Sequence, residues 1–353
     1  MNIAQETGPD KGHVMKKVFR ILEKSILRPV LKKMLSDSRC CSILCLHRVD
    51  SLNPDRLLPN DHLKVSPAFL EQLIKSFKVD GYSFISMDEV CDTIRKKRKF
   101  RKNIALTFDD GYENVFTNGC PVLKSEDVPA TVYVATGLSN GDSILWWDAI
   151  EDALLEKSKV RLPDGSFADV STKELKTKLF LDLRNWVFSL PVEEIKERVS
   201  DFCGFNEERI LSYRRQMADD RVLKLYANDR LITIGCHTHR HIPCGLLDDD
   251  EVCADINESL KRLDAIGIKA SHFAFPYGLD EKNPKRFLQF FMDVGFSSCV
   301  TTYSNVATTY SDPYFLPRVT VKEYGGFTAD NIFAVRYNAI KDLVAKHMKL
   351  GKA

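Results

Sequence analysis

Thr107-Phe108-Asp109-Asp110-Gly111-Tyr112 directly follows Asn103-Ile104-Ala105-Leu106, a short apolar run of the kind that forms a buried strand. Two adjacent carboxylates therefore stand where a strand ends. Neighbouring side chains on an extended segment point to opposite sides, so Asp109 and Asp110 need not do the same job. Two carboxylates this close are costly unless something positive holds them.

A partner set occurs at His237-Thr238-His239-Arg240-His241, again after an apolar run, Leu231-Ile232-Thr233-Ile234. His237 and His241 are four apart, a spacing that puts two imidazoles on one face of a helical turn. With one carboxylate they form a His/His/Asp set with open positions, suited to a catalytic divalent metal. The HExxH zinc-protease pattern is excluded because position 238 is Thr. The plainer alternative, a polar loop rich in histidine, sits poorly with strand-end placement at both motifs. Two further runs end the same way: Phe273-Ala274-Phe275-Pro276-Tyr277-Gly278, and Ile43-Leu44-Cys45-Leu46 leading into His47 and Arg48. Chemistry at the carboxyl ends of several strands is the geometry of a β/α barrel active site.

In this order, TFDDGY, HTxxH and FAFPYG resemble the motifs of the polysaccharide deacetylases of carbohydrate esterase family 4, the NodB-like group. The resemblance covers roughly residues 40 to 322 with one insertion. It implies Asp110, His237 and His241 as metal ligands and Asp109 as general base. It also implies Thr238 as a brace of the ligand loop and the backbone N–H of Tyr277 as an oxyanion donor. The implied cofactor is a divalent metal: Zn2+ first, with Co2+, Ni2+ or Mn2+ as alternatives. Two departures stand out. Where the family's third motif has an Arg that tethers the base, this chain has Ala274, and Arg318 in Phe315-Leu316-Pro317-Arg318 is the candidate replacement. The family's final Leu-x-x-His, which carries the general acid, is missing near the C-terminus, but Leu44-Cys45-Leu46-His47 has that pattern at the front. This resembles the circularly permuted branch acting on poly-N-acetylglucosamine-type polymers, with His47 as the acid. The alternative is a structural histidine at a strand end.

The implied activity is metal-dependent removal of an N-acyl, chiefly N-acetyl, group from an amino sugar in a polysaccharide, oligosaccharide or glycan precursor. Two competing readings stay open. One is a 2-His-1-carboxylate metal oxygenase, disfavoured because those sites sit in β-rich folds. The other is an inactive glycan-binding protein on the same fold, kept alive by Ala274.

The chain has 353 residues, 51 basic and 49 acidic, giving a formal net charge of +2 and no argument for nucleic acid. Its ten cysteines form no CxxC pair, and the first ten residues lack the basic start and apolar core of a signal peptide. Together these suggest a reducing cytoplasm. Residues 14–35 carry seven Lys or Arg, at 16, 17, 20, 24, 28, 32 and 33, against Glu23, with apolar residues interleaved. Such a segment suits peripheral contact with an anionic inner membrane surface, or packing on the domain with a solvated basic face.

Strand–helix alternation predicts an α/β fold, a distorted (β/α)7-type barrel. Residues 1–39 read as the basic amphipathic segment, 40–329 as the deacetylase-like domain and 330–353 as a closing helix. Within the domain, helices are expected over 67–77, 87–96, 113–125, 249–266 and 284–294, and strands over 82–85, 129–135, 297–302 and 315–321. The alternation stops over 140–229, which reads as a helical insertion at the barrel mouth with helices over 147–157, 172–189, 192–202 and 206–226. Trp146, Trp147 and Asp148 at its entrance, with Pro276 and Tyr277, are candidate sugar contacts; core packing is the alternative for the tryptophans.

Overall fold

Seven parallel strands carry the architecture: β1 Cys40–Leu46, β2 Asn103–Phe108, β3 Ala130–Val134, β4 Ile232–Cys236, β5 His272–Ala274, β6 Ser298–Val300 and β7 Val319–Thr320. They were assigned in a computed structural model that describes residues 40–278, 285–328, 331, 332 and 335. Each pairs in parallel with the next from β1 to β6, and β7 returns to pair with β1. The ring closes between β6 and β7 through one parallel bridge, Val300 to Leu316. The ladder goes no further because the next N–H on that side, of Arg318, donates to the Tyr303 carbonyl at 3.0 Å. The expected distorted (β/α)7 barrel with an insertion is therefore observed.

Register puts the chemistry on one rim. Leu46 lies opposite Phe108, Phe108 opposite Val132, and Val134 opposite Cys236. The next residues of β1, β2 and β4 are His47, Asp109 and His237, so they leave the sheet side by side. Asp109 N–H donates to the Leu46 carbonyl at 2.9 Å, and His237 N–H to that of Val134 at 3.0 Å. Alternation sorts the strands' two faces. Cys41, Ile43, Ala105, Tyr133, Ala274 and Val300 pack in one cluster, while Leu44, Leu46, Leu106, Phe108 and Val132 pack in the larger core with the helices.

Helices follow their local signals. Helix α1, Pro67–Val79, has Pro67 in its first turn and Ser66 accepting from Phe69 N–H at 3.1 Å. Helix α2, Met87–Arg95, starts on a Ser86/Glu89 capping box. The helix expected over 113–125 is present, wound as a π-helix over Val115–Gly119 before α3, Cys120–Ser125. Pro121 has no N–H for a regular fourth-neighbour bond, which disrupts the ladder there.

Between β3 and β4 the insertion holds α4 Trp146–Leu155, α5 Lys173–Phe188, α6 Ile195–Cys203, α7 Glu207–Arg214 and α8 Asp220–Tyr226. Two corrections apply to its expected form. Lys159–Arg161 and Phe167–Asp169 pair as a hairpin turning at Asp164-Gly165, where Gly165 takes φ 87°. The helix expected over 206–226 breaks into α7 and α8, and the linking segment is drawn to the aspartate loop. Glu113 N–H bonds the Gln216 carbonyl at 2.9 Å, and Ala218 N–H bonds that of Gly111 at 3.0 Å.

After β4 come α9, Asp249–Ala265, and α10, Leu288–Asp293. The strand expected over 315–321 shortens to β7, preceded by a 3-10 turn at Pro313–Phe315. The basic segment at 14–35, the rest of 1–39, and nearly all of the closing helix expected over 330–353 lie outside the described residues. Among the described residues no helix is long and apolar enough to cross a membrane.

Candidate metal centre and active site

Four of the seven non-glycine residues with positive φ among those described sit at this rim: Asp110 (72°), Thr238 (64°), His241 (56°) and Tyr277 (57°). Such backbone is costly for residues with a Cβ and persists where the surroundings over-determine it. Its effect here is convergence. The ring Nε2 atoms of His237 and His241 stand 3.5 and 3.1 Å from Asp110 Oδ1, and all three side chains are buried. The two histidines do not share a helical turn, as their spacing suggested. Residues 237–241 form an irregular loop with left-handed turns at Thr238 and His241. Thr238 braces that loop, its hydroxyl accepting from Ile242 N–H at 3.3 Å.

Hydrogen bonding prepares the donor set. His237 Nδ1 lies 2.7 Å from the Ala274 carbonyl, which can only accept, so the proton belongs on Nδ1 and Nε2 keeps a free lone pair toward Asp110. His241 Nδ1 lies 2.9 Å from the Tyr277 hydroxyl, which accepts from Trp146 Nε1 at 3.0 Å. Burial pushes the His241 pKa down, outweighing the attraction of Asp110, which favours the neutral imidazole a metal requires. Burial alone would raise the Asp110 pKa, but while no metal occupies the lone pairs, protonation of His237 and His241 at Nε2 turns them into donors that hold it well below the usual carboxylate range. Two imidazole nitrogens and one carboxylate oxygen within 4.8 Å of one another fit a divalent metal with open positions.

Asp109 is held by Arg318, as the sequence suggested for a chain with Ala274 in the third motif. Both guanidinium nitrogens donate to its oxygens at 2.6 Å. Arg318 also donates to the Thr301 carbonyl at 2.9 Å and the Thr107 hydroxyl at 3.1 Å, and is 1% exposed. Burial alone would raise the Asp109 pKa; the Arg318 charge outweighs it and holds the group below its ordinary value.

His47 is half-buried on the same side. A ring nitrogen, an Asp109 oxygen and Cys45 Sγ lie within 4.8 Å of one another. Both Asp109 oxygens already bind a fixed cation, which disfavours a second metal in that group. Burial chiefly lowers the His47 pKa, with Asp110 and Asp109 opposing it.

The insertion contributes a wall rather than open faces. Trp146, Trp147, Asp148 and Pro276 are buried, whereas Tyr277 is 39% exposed. The Trp147 ring lies 4.9 Å from that of His241, and its N–H donates to the Tyr112 hydroxyl at 2.8 Å. Arg48 donates to the same hydroxyl at 2.6 Å and also pairs with Asp148. Arg48 and Tyr112 received no role from the sequence, although each adjoins a predicted site residue or motif position. Neither could be paired with the insertion before folding.

Residues 96–176 match the family model for polysaccharide deacetylase. Over that stretch the chain is similar to the polysaccharide deacetylases. A poly-beta-1,6-N-acetyl-D-glucosamine N-deacetylase of Staphylococcus aureus (strain MSSA476) is 34% identical over 74 residues, which cover 21% of this chain and 25% of that protein. The chain thus spans about a quarter of that relative's length in the match. Among solved structures, IcaB from Ammonifex degensii shares the fold with a TM-score of 0.54 and 18% identity, over 85% of this chain and 98% of that one. The Streptococcus pyogenes deacetylase PplD, in complex with acetate, gives 0.52 and 19%, over 84% and 98%. The partial match and the fold shared with these structures agree with the expectation from the motifs.

Proposed function

We propose that the protein is a metal-dependent hydrolase removing an N-acyl group, chiefly N-acetyl, from an amino sugar in a polysaccharide, oligosaccharide or glycan precursor. One observation carries the reading: a buried His/His/Asp donor set stands beside a second carboxylate clamped by an arginine. A divalent metal, with zinc the first choice for this donor set, would supply Lewis acidity toward the carbonyl and a lowered pKa for water. Asp110, His237 and His241 would hold it. Asp109 would take the proton of the attacking water as its oxygen bonds the acyl carbon. The C–N bond then breaks, and His47 returns a proton to the departing amine. The Tyr277 N–H would donate to the developing oxyanion. The exposed Tyr277 ring would border the sugar, with Trp146, Trp147, Asp148 and Pro276 shaping the wall behind it.

The defining experiment assays metal-loaded protein for acetate or formate release from a panel of N-acyl amino sugars, free, polymeric, lipid-linked and nucleotide-linked. No release from any of them sinks the proposal. Peripheral contact through residues 14–35, on the cytoplasmic side of the membrane, would suit a lipid-linked or nucleotide-linked precursor. Wholly soluble fractionation, together with full activity after deletion of 14–35, would remove that part.

Asp109→Asn should keep its metal while turnover falls about a hundredfold or more, the scale of a lost general base. Metal loss in this variant, read by metal analysis after dialysis, would instead make Asp109 a ligand. His47→Ala should also keep its metal. Its turnover should fall most on amides, whose amine needs a proton, and much less on an activated ester with a good leaving group. Equal losses on the two substrates would return His47 to a structural role.

A further inference from the structure

The loop that carries both histidines is gripped from beneath by a residue outside every motif. Asp255, in the second turn of α9, is 3% exposed. Its Oδ1 accepts from the backbone N–H groups of His239 at 2.6 Å and Arg240 at 3.1 Å. Its Oδ2 accepts from Arg240 Nε at 2.7 Å. Those two backbone groups lie between the left-handed residues Thr238 and His241, at the part of the loop where conformation is most expensive.

The opposite side of the loop is equally confined. Gly137 N–H donates to the His239 carbonyl at 2.6 Å, and a Cβ at Gly137 would stand 2.6 Å from that oxygen. His239 Nδ1 meets the Thr136 hydroxyl at 2.8 Å, and its Nε2 meets Asp142 at 3.0 Å. His239 is therefore turned away from the metal set and spent on anchoring, although it sits between the two ligands in sequence. Of these anchors, Asp255 alone supplies a buried carboxyl group to successive backbone N–H groups of the loop, the stronger, charge-assisted kind of hydrogen bond.

We propose that Asp255 is a positioning residue that holds the 237–241 loop in its ligating shape and thereby sets metal affinity. The inference rests on Asp110, His237 and His241 being the ligands. It needs no particular substrate. In Asp255→Asn one oxygen of the same shape remains, but the other acceptor becomes an NH2 facing an N–H donor, so the grip on either the backbone pair or Arg240 is lost. Outer-shell changes of this kind typically cost about 10–100-fold in metal affinity.

The test uses the full chain and zinc alone, titrated against a chromophoric chelator, with the melting temperature of the metal-free protein measured in parallel. Asp255→Asn should fold and bind zinc about 10–100-fold more weakly than the unaltered protein. Amide hydrogen exchange across 237–242 should rise in the metal-free variant. Arg240→Met, which removes only the side-chain arm, should lose less affinity than Asp255→Asn. A lower melting temperature with unchanged zinc affinity would make Asp255 merely structural and overturn the proposal. Failure of the unaltered protein to bind zinc would strike the metal centre itself. In that case unchanged exchange across 237–242 would overturn the clamp separately.

Discussion

Asp110→Ala is expected to abolish metal binding and turnover together. The side chain is the only carboxylate in the donor set, and its removal leaves two neutral imidazoles, fewer than the three protein ligands usual at a catalytic metal. No neighbour can substitute, because Asp109 is engaged through both oxygens by Arg318. A catalytic metal contributes several kcal/mol at the transition state, and at ~1.4 kcal/mol per tenfold the loss is about a thousandfold or more. His241→Ala should behave alike, since its Nε2 stands closer to Asp110 than that of His237 does. Metal content after dialysis, measured beside acyl release, checks both variants. Stoichiometric metal in either would sink the ligand assignment.

Arg318→Met should be the most destabilising single change at the site. Removing one member of a buried ion pair strands the other, at a cost of about 3–5 kcal/mol. Here the stranded group is Asp109, and the Thr301 carbonyl and Thr107 hydroxyl lose a donor as well. Without the guanidinium, burial dominates and the Asp109 pKa must rise. The base is then protonated over a wider range, so surviving activity should shift to higher pH. The sign for stability follows from the depressed pKa in the native protein. The stabilisation from Asp109 is complete above the ordinary carboxylate range, near 4, and is lost as pH falls through the lower native value. The difference between the two proteins should therefore shrink in acid. Arg318→Lys keeps the charge but not the two-pronged geometry and should fall between them. Urea unfolding at neutral and acidic pH provides the check; a loss below about 1 kcal/mol would mean that the pair adds little.

Much of the site was legible because three of its functional residues directly follow apolar strands. In β1, β2 and β4, the buried runs ending at Leu46, Phe108 and Cys236 deliver His47, Asp109 and His237 to one rim. Arg318 could be nominated by elimination once Ala274 was seen where a tethering arginine belongs. Its partner could not be established that way, since the two residues are 209 positions apart and meet only when β7 returns to β1.

Elsewhere local rules misled or fell silent. The four-residue spacing of His237 and His241 mimics a helical turn, yet left-handed Thr238 and His241 build the site from irregular chain. Propensity cannot foresee such backbone at residues other than glycine, because packing and hydrogen bonds impose it. The hairpin at 159–169 was hidden because each strand has only three residues, too few to display a period. Asp255 was unreadable for a different reason. An aspartate inside an acidic helix looks like solvated surface until the histidine loop is laid upon it.

By itself, the sequence determined the alternating α/β plan, the strand ends that carry chemistry, and the identities of the acids and histidines, all encoded over a few consecutive residues. Tertiary structure brought Asp110 against the histidines and Asp109 against Arg318 across the barrel. It also buried Trp146 and Trp147 behind Tyr277 and placed Asp255 under the ligand loop. Those outcomes depend on strand register and barrel closure, which bring together groups far apart in the chain and leave no local pattern of apolar and polar residues to read.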